Sequence, residues 1–360
     1  MLKNILTLVF LFINVELWGQ FSWHDPMKEQ IRVINNQGFD HEIGMSYARL
    51  PLRARSRVRE PVWELSRHSS GLSIRFQTDA SYIQIRYVVS GALGMLHMPP
   101  TGVSGIDMYR IDGNKWSFCS GSYTFGDTIM YKFDNLINDN THFTYCIFLP
   151  LYNEVRWMEI GTESDCSFHF IPRINQKPIV VYGTSITQGA CASRPGMAWT
   201  NIVQRHIECP MINMGFSGNG KLEDDVLDFI NEIDARVYIL DCVSNLTQDS
   251  MLVGRTINAV KKIRSLHQNE PILLMEHAGY SNSMTCLQRR TECENANIKV
   301  RRAYYELLGM GVKNIFYISR KDFDFICDAW VDYVHPSDIG MVQKALVVKN
   351  NLMYLFELGF

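Results

Sequence analysis

Ile179-Val180-Val181-Tyr182-Gly183-Thr184-Ser185-Ile186-Thr187-Gln188-Gly189 is the stretch on which the reading of this chain turns. Its first four residues are apolar without alternation, the pattern of a strand buried on both faces of a sheet. The run breaks at a glycine and presents Ser185 on a turn that opens toward a helix. Downstream the same rhythm repeats. Leu222, Val226, Leu227, Ile230 and Ile233 recur at helical spacing, and Val237-Tyr238-Ile239-Leu240 is a second buried strand. Leu252, Val253, Ile257, Val260 and Ile263 mark a second amphipathic helix, and Ile272-Leu273-Leu274-Met275 a third strand. A long helical pattern ends at Gly309-Met310-Gly311, where glycine suits a left-handed cap. Asn314-Ile315-Phe316-Tyr317-Ile318 is a fourth strand, before a last helix over about 337–356. Strand alternating with helix predicts an α/β unit over 175–360, a parallel sheet covered on both faces.

Upstream of this unit the period changes to two. Leu72, Ile74 and Phe76 alternate with polar neighbours, then Ile83, Ile85, Tyr87 and Val89, then Phe143, Tyr145, Ile147 and Leu149, then Val155 and Trp157. Short alternating strands with no helical stretch between them predict an all-β sandwich or jelly roll over 20–174. The segment 171–178, with Pro172 and Pro178, reads as a linker. At the start, Lys3 precedes an apolar run from Ile5 to Ile13 that is too short to span a bilayer. Residues 1–19 are therefore expected to be a signal peptide. The mature chain is expected to be secreted or periplasmic, without stable membrane insertion.

The chain has 360 residues, 46% of them hydrophobic and 20% charged, as in a core-forming globular protein of two domains. A net charge of −2 argues against a reader of phosphate backbones, so no nucleic-acid partner is expected. The nine cysteines form no C-x-x-C pair. Without that pair, an H-E-x-x-H or clustered acids, no metal or other cofactor is expected.

Four blocks stand where an open parallel sheet collects its ligands, at the carboxyl ends of strands. They are Gly183-Thr184-Ser185, then Asn213-Met214-Gly215-Phe216-Ser217-Gly218-Asn219-Gly220, then Asp241-Cys242-Val243-Ser244-Asn245, then Asp332-Tyr333-Val334-His335-Pro336. Each alone has an ordinary reading: a helix-capping serine, a glycine turn, an Asx turn, a packed histidine. Their order and position together suit a nucleophile, oxyanion donors, and an acid with its base. Gly183 to Thr187 is not a G-x-S-x-G elbow, which argues against an α/β-hydrolase. Glu276-His277 reads as a structural strand-end pair ahead of a metal or base pair, and Arg194 as a solvated loop residue ahead of a substrate-binding one.

The arrangement resembles the SGNH, or GDSL, hydrolase superfamily over about 179–360, with Gly183-Thr184-Ser185 in place of the usual G-D-S. The resemblance implies a three-layer, flavodoxin-like α/β/α fold. It implies Ser185 as nucleophile, Gly218 and Asn245 as oxyanion donors, and Asp332 with His335 as the rest of a triad. The third block departs from the common form at Val243 and Leu246. Gly105-Ile106-Asp107-Met108-Tyr109 resembles the G-x-D-[LM]-Y motif of a β domain that precedes some of these hydrolases, and Pro150-Leu151-Tyr152-Asn153 fits the same domain. The expected function is a secreted serine esterase acting on small acyl esters, acetyl groups, of a carbohydrate. The alternatives are a lipid or lysophospholipid acylhydrolase of the same superfamily, and a degenerate glycan-binding protein.

Overall fold

The computed structural model describes residues 21–137 and 142–360, so the expected signal peptide lies outside the described residues. Two antiparallel sheets form the front half. One orders Phe21–His24, Val155–Glu163, Ile83–Val89, Ile129–Phe133 and Ser122–Thr124. The other orders Phe168–Phe170, Ser73–Thr78, Phe143–Phe148, Asp107–Asp112 and Lys115–Cys119, with Ile34–Asn35 beside Ser73–Thr78. Alternation decides which side chains enter: Ile74 and Phe76 are buried where Arg75 and Gln77 are only half-buried. Ile74, Phe76, Tyr145 and Ile147 of one sheet meet Ile83, Ile85, Met158 and Ile160 of the other in a shared core.

This half is not free of helix. Glu60–Ser66 is helical, with Pro61 in its first turn and Val62, Trp63 and Ser66 buried. Seven residues are too few to display a helical period. The segment also leaves the sandwich: Leu50, Ala54, Val58, Val62 and Trp63 share a core with Val180, Tyr182, Ile212 and Phe229 of the back half. The expected linker is pinned in place. Ile171 donates its N–H to the Arg75 carbonyl, and Arg173 to that of Arg32, both at 2.9 Å.

The back half is a parallel sheet of five strands: β1 (Ile179–Gly183), β2 (Met211–Gly215), β3 (Val237–Asp241), β4 (Ile272–Met275) and β5 (Ile315–Ile318). Its spatial order is β2-β1-β3-β4-β5, the flavodoxin-like arrangement. Six helices connect and cover it: α1 (Ser185–Gln188), α2 (Trp199–Ile207), α3 (Asp224–Asn231), α4 (Leu252–Leu266), α5 (Leu287–Gly309) and α6 (Asp338–Glu357). Trp199, Val203, Met341 and Val348 of α2 and α6 pack on Ile179, Val181 and Ile239. The other face takes α3, α4 and α5.

Sequence patterning gave four strands, and β2 is the fifth. Asn213 interrupts its apolar run, yet this side chain is buried and satisfied. Its Nδ2 donates to the Thr187 carbonyl at 2.6 Å and to Thr200 Oγ1 at 3.1 Å, and its Oδ1 accepts the Gly215 N–H at 2.9 Å. Helix α2 was hidden for a similar reason, since it buries Thr200, Asn201 and Gln204 beside Trp199 and Ile202. All nine cysteines are free thiols. Among the described residues no helix is long and apolar enough to cross a membrane.

Candidate active site

Strand order reverses at β1, with β2 on one side and β3 on the other, which opens a crevice at their carboxyl ends. Gly183 lies in register with Gly215 on β2 and Asp241 on β3, so the first three blocks leave the sheet together. Thr184 caps α1, its Oγ1 accepting the Ile186 N–H. This is a service a carboxylate or a hydroxyl can perform equally, so the departure from G-D-S keeps the turn. Ser185 is only 8% exposed.

The fourth block meets this turn from across the chain. Ser185 Oγ lies 2.9 Å from His335 Nε2, and His335 Nδ1 lies 2.7 Å from Asp332 Oδ2. Asp332 Oδ1 accepts the N–H groups of Val334 and His335 at 2.8 and 2.7 Å, so three residues of separation suffice for the acid to hold the ring. Burial works to raise the Asp332 pKa. The hydrogen bonds from the His335 ring and from these two N–H groups outweigh it and leave the carboxyl below its ordinary range.

The second block passes hard against the turn that carries Ser185. A Cβ on Gly220 would stand 2.2 Å from the Gly183 carbonyl oxygen, so only glycine fits there. Gly218 adopts φ +68°, is exposed, and faces open space. Asn245 Oδ1 accepts the Gly220 N–H at 3.1 Å. That bond fixes which end of the amide is oxygen and leaves the Nδ2 group as a donor.

Further residues serve this site, and of them Gln188, Tyr152 and Asn153 stand in stretches that the sequence singles out. Gln188 Oε1 accepts the Ser217 N–H at 3.0 Å, next to Gly218, and its Nε2 donates to His68 Nδ1 and to the Leu151 carbonyl, both at 3.1 Å. Burial, then the charge of Arg49, depress the His68 pKa to about 4, so the ring is neutral and can accept. Arg49 is buried and donates to the carbonyls of Asn213 and Gly215 at the end of β2. Tyr152 donates its hydroxyl to the Ser185 carbonyl at 3.3 Å. Asn153 holds the loop at 91–104 through the Gly91 N–H, the Ala92 carbonyl and Ser104 Oγ. That loop carries His97, whose ring stacks on His335 at 5.9 Å.

Arg194 is not a solvated loop residue. Asp107 Oδ2 accepts from its guanidinium at 2.6 Å and from the Gly196 N–H at 2.7 Å, and the Tyr109 hydroxyl lies 2.7 Å from the same guanidinium. Glu276 has the structural role expected of it, bound to Arg301, the Tyr317 hydroxyl and the Arg320 N–H. Among the described residues two clusters bring potential metal ligands together: His97 with Cys191 and His335, and Asp234 with His267 and Glu270. Lys177 already pairs with Asp234 and Glu270 in the second.

A parallel sheet with a Ser-His-Asp chain at its switch point, joined to a β-sandwich, defines the class: a carboxylic ester hydrolase of the SGNH type. Residues 176–353 match the GDSL-like lipase/acylhydrolase family, and residues 21–168 match the N-terminal domain of SGNH-hydrolase-type esterases. The back half of the chain thus belongs to the GDSL-like lipase/acylhydrolase family, and the front half is the domain that precedes it in SGNH-hydrolase-type esterases. Among solved structures it is similar to a Bacteroides ovatus protein described as a GDSL-like lipase, at 26% identity and TM-score 0.87 over 94% of this chain and 98% of that one. It is also similar to the salicylyl-acyltransferase SsfX3 from a tetracycline biosynthetic pathway, at 15% and 0.71 over 93% and 97%. A third is an acetyl xylan esterase from Butyrivibrio proteoclasticus, at 8% and 0.56 over 93% and 99%. No curated protein matches the chain.

Proposed function

We propose that the protein is a secreted serine esterase that removes small acyl groups, acetyl above all, from a carbohydrate. The carrying observation is the continuous chain from Ser185 Oγ through His335 to Asp332, at 2.9 and 2.7 Å. The choice of a glycan acetyl ester is supported by neighbours of the same fold that act on acetylated xylan or are family two carbohydrate esterases.

In this reading His335 Nε2 takes the Ser185 proton as Oγ attacks the ester carbonyl, and Asp332 steadies the imidazolium that results. The oxyanion is held by the N–H groups of Ser185 and Gly218 and by Asn245 Nδ2, and one such donor contributes about 3–4 kcal/mol in the transition state. Collapse of the intermediate expels the sugar hydroxyl, protonated by His335, and leaves an acyl-Ser185. Water, deprotonated by the same ring, releases the acid and restores the serine. The front half builds the site without taking part in proton transfer.

The test sets acetylated oligosaccharides and p-nitrophenyl esters of increasing chain length against wild type and Ser185→Ala. Acetyl esters should be cleaved best, and a fluorophosphonate probe should label only the peptide containing Ser185. Full activity in Ser185→Ala, or a preference for long acyl chains, overturns the reading.

A further inference from the structure

The front half brings more to the catalytic histidine than packing. Met95 and Met98 exchange both backbone hydrogen bonds, at 3.0 and 3.1 Å, and close a tight hairpin with exposed Leu96 and His97 at its tip. The tip lies over the turn that follows α1. There Cys191 is buried, held at φ +66°, and donates its thiol to the His97 carbonyl at 3.6 Å. The His97 ring lies nearly parallel to that of His335, tilted by 26°. One ring nitrogen of each histidine and the Cys191 sulfur lie within 4.8 Å of one another. The esterase reading uses only His335 of these three.

We propose that His97, Cys191 and His335 form an inhibitory site for a thiophilic divalent cation, with zinc as its probe. Two imidazoles and a thiolate are a familiar donor set for zinc, which keeps a fourth position for water. Ligand atoms about 2.0–2.3 Å from a tetrahedral ion stand closer together than 4.8 Å, and His97, exposed on a hairpin tip, is the member that moves to close the gap. Binding exchanges the Cys191 proton for the metal and releases that proton to solvent, with no change of oxidation state. Both His335 nitrogens are already in use, one toward Ser185 and one toward Asp332. Whichever nitrogen the cation takes, one link of the Ser-His-Asp chain is broken. Inhibition as the consequence rests on the esterase reading; binding does not.

Cobalt(II) titrated into a Cys327→Ser background, which removes the exposed thiol, reads binding alone. A cobalt–thiolate charge-transfer band should appear, and should be absent once Cys191→Ser is added. Zinc should inhibit ester hydrolysis, and a chelator should restore it. The half-inhibiting zinc concentration should rise at least about tenfold in His97→Ala and in Cys191→Ser, the smallest loss expected from removing a ligand. His97 is exposed, so its substitution leaves the fold standing if the buried Cys191 variant does not. Absence of the cobalt band, or equal zinc sensitivity in wild type and His97→Ala, overturns the proposal. If Ser185→Ala keeps full activity, the esterase reading fails while the cobalt titration still decides the site.

Discussion

Asp107 of the sandwich and Arg194 of the segment following the Ser185 helix meet at 2.6 Å, across 87 residues of sequence. Asp107 is 4% exposed and the Arg194 side chain 26%, and the Arg194 guanidinium also lies 3.9 Å from the centre of the Phe118 ring. The G-x-D-[LM]-Y residues thus hold the segment that carries Cys191 and Ser193. Removing one partner of such a pair leaves a charge without its counterpart and costs about 3 kcal/mol. Asp107→Ala and Arg194→Ala should each lower the melting temperature and ester turnover. The double variant should lose clearly less than the sum, as thermal denaturation in a double-mutant cycle will measure.

Asn245→Ala tests the oxyanion role directly. Loss of a side-chain donor should lower kcat by about 100- to 1,000-fold with KM little changed. The Gly220 N–H loses its acceptor in the same variant, at about 1 kcal/mol of stability. Steady-state kinetics beside a melting curve separates the two effects. A lower melting temperature with near-normal kcat would assign the residue to the turn alone.

Gln188 orients the peptide unit beside Gly218, so it is a positioning residue with His68 behind it. Gln188→Leu should lower kcat by about tenfold, a change of about 1.4 kcal/mol in the barrier, with KM for a small ester little altered. His68→Asn keeps an acceptor near the former Nδ1 and should retain more activity than His68→Ala. Equal kcat in the two His68 variants would count against the relay.

Stability should fall on the acid side. His68 is depressed to about 4, by burial and then Arg49, and His277 to about 3, by burial and then Lys344 and Arg320. In the unfolded chain both take up a proton near the ordinary 6.5. Below that pH the unfolded state binds more protons than the fold, so the contribution of each neutral ring is complete above about 6.5. It is lost as pH falls toward about 4 for His68 and about 3 for His277. The urea midpoint should decline steadily from pH 6.5 to 4, and His68→Asn should flatten part of that slope.

The sequence shows the site more fully than the scaffold that steadies it. Ser185, Asp332, His335, Gly218 and Asn245 stand in short blocks after apolar strands, and the structure brings these blocks to one crevice. Strand β2 and helix α2 escaped because Asn213, Thr200 and Gln204 look like surface residues and are buried with their hydrogen bonds satisfied. His68, Arg49 and His97 lie far from the blocks in sequence, and a single sequence carries no signal that pairs them with Gln188, Asn213 or His335. Arg194 misled for the opposite reason: a polar loop residue between small neighbours looks solvated until its distant carboxylate is known.

The excursion of residues 39–66 onto the parallel sheet sets the order in which the molecule can be completed. Phe39, Leu50, Val58, Val62 and Trp63 have their apolar partners at Ile212, Phe229 and Ile230, residues synthesised well over a hundred positions later. A nascent chain that has closed its sandwich therefore still carries an oily strip with nothing to cover it. Domains ordinarily fold as units in the order they emerge. Here the first unit stays unfinished until the second arrives, and a truncation between the halves leaves two adhesive surfaces rather than two proteins.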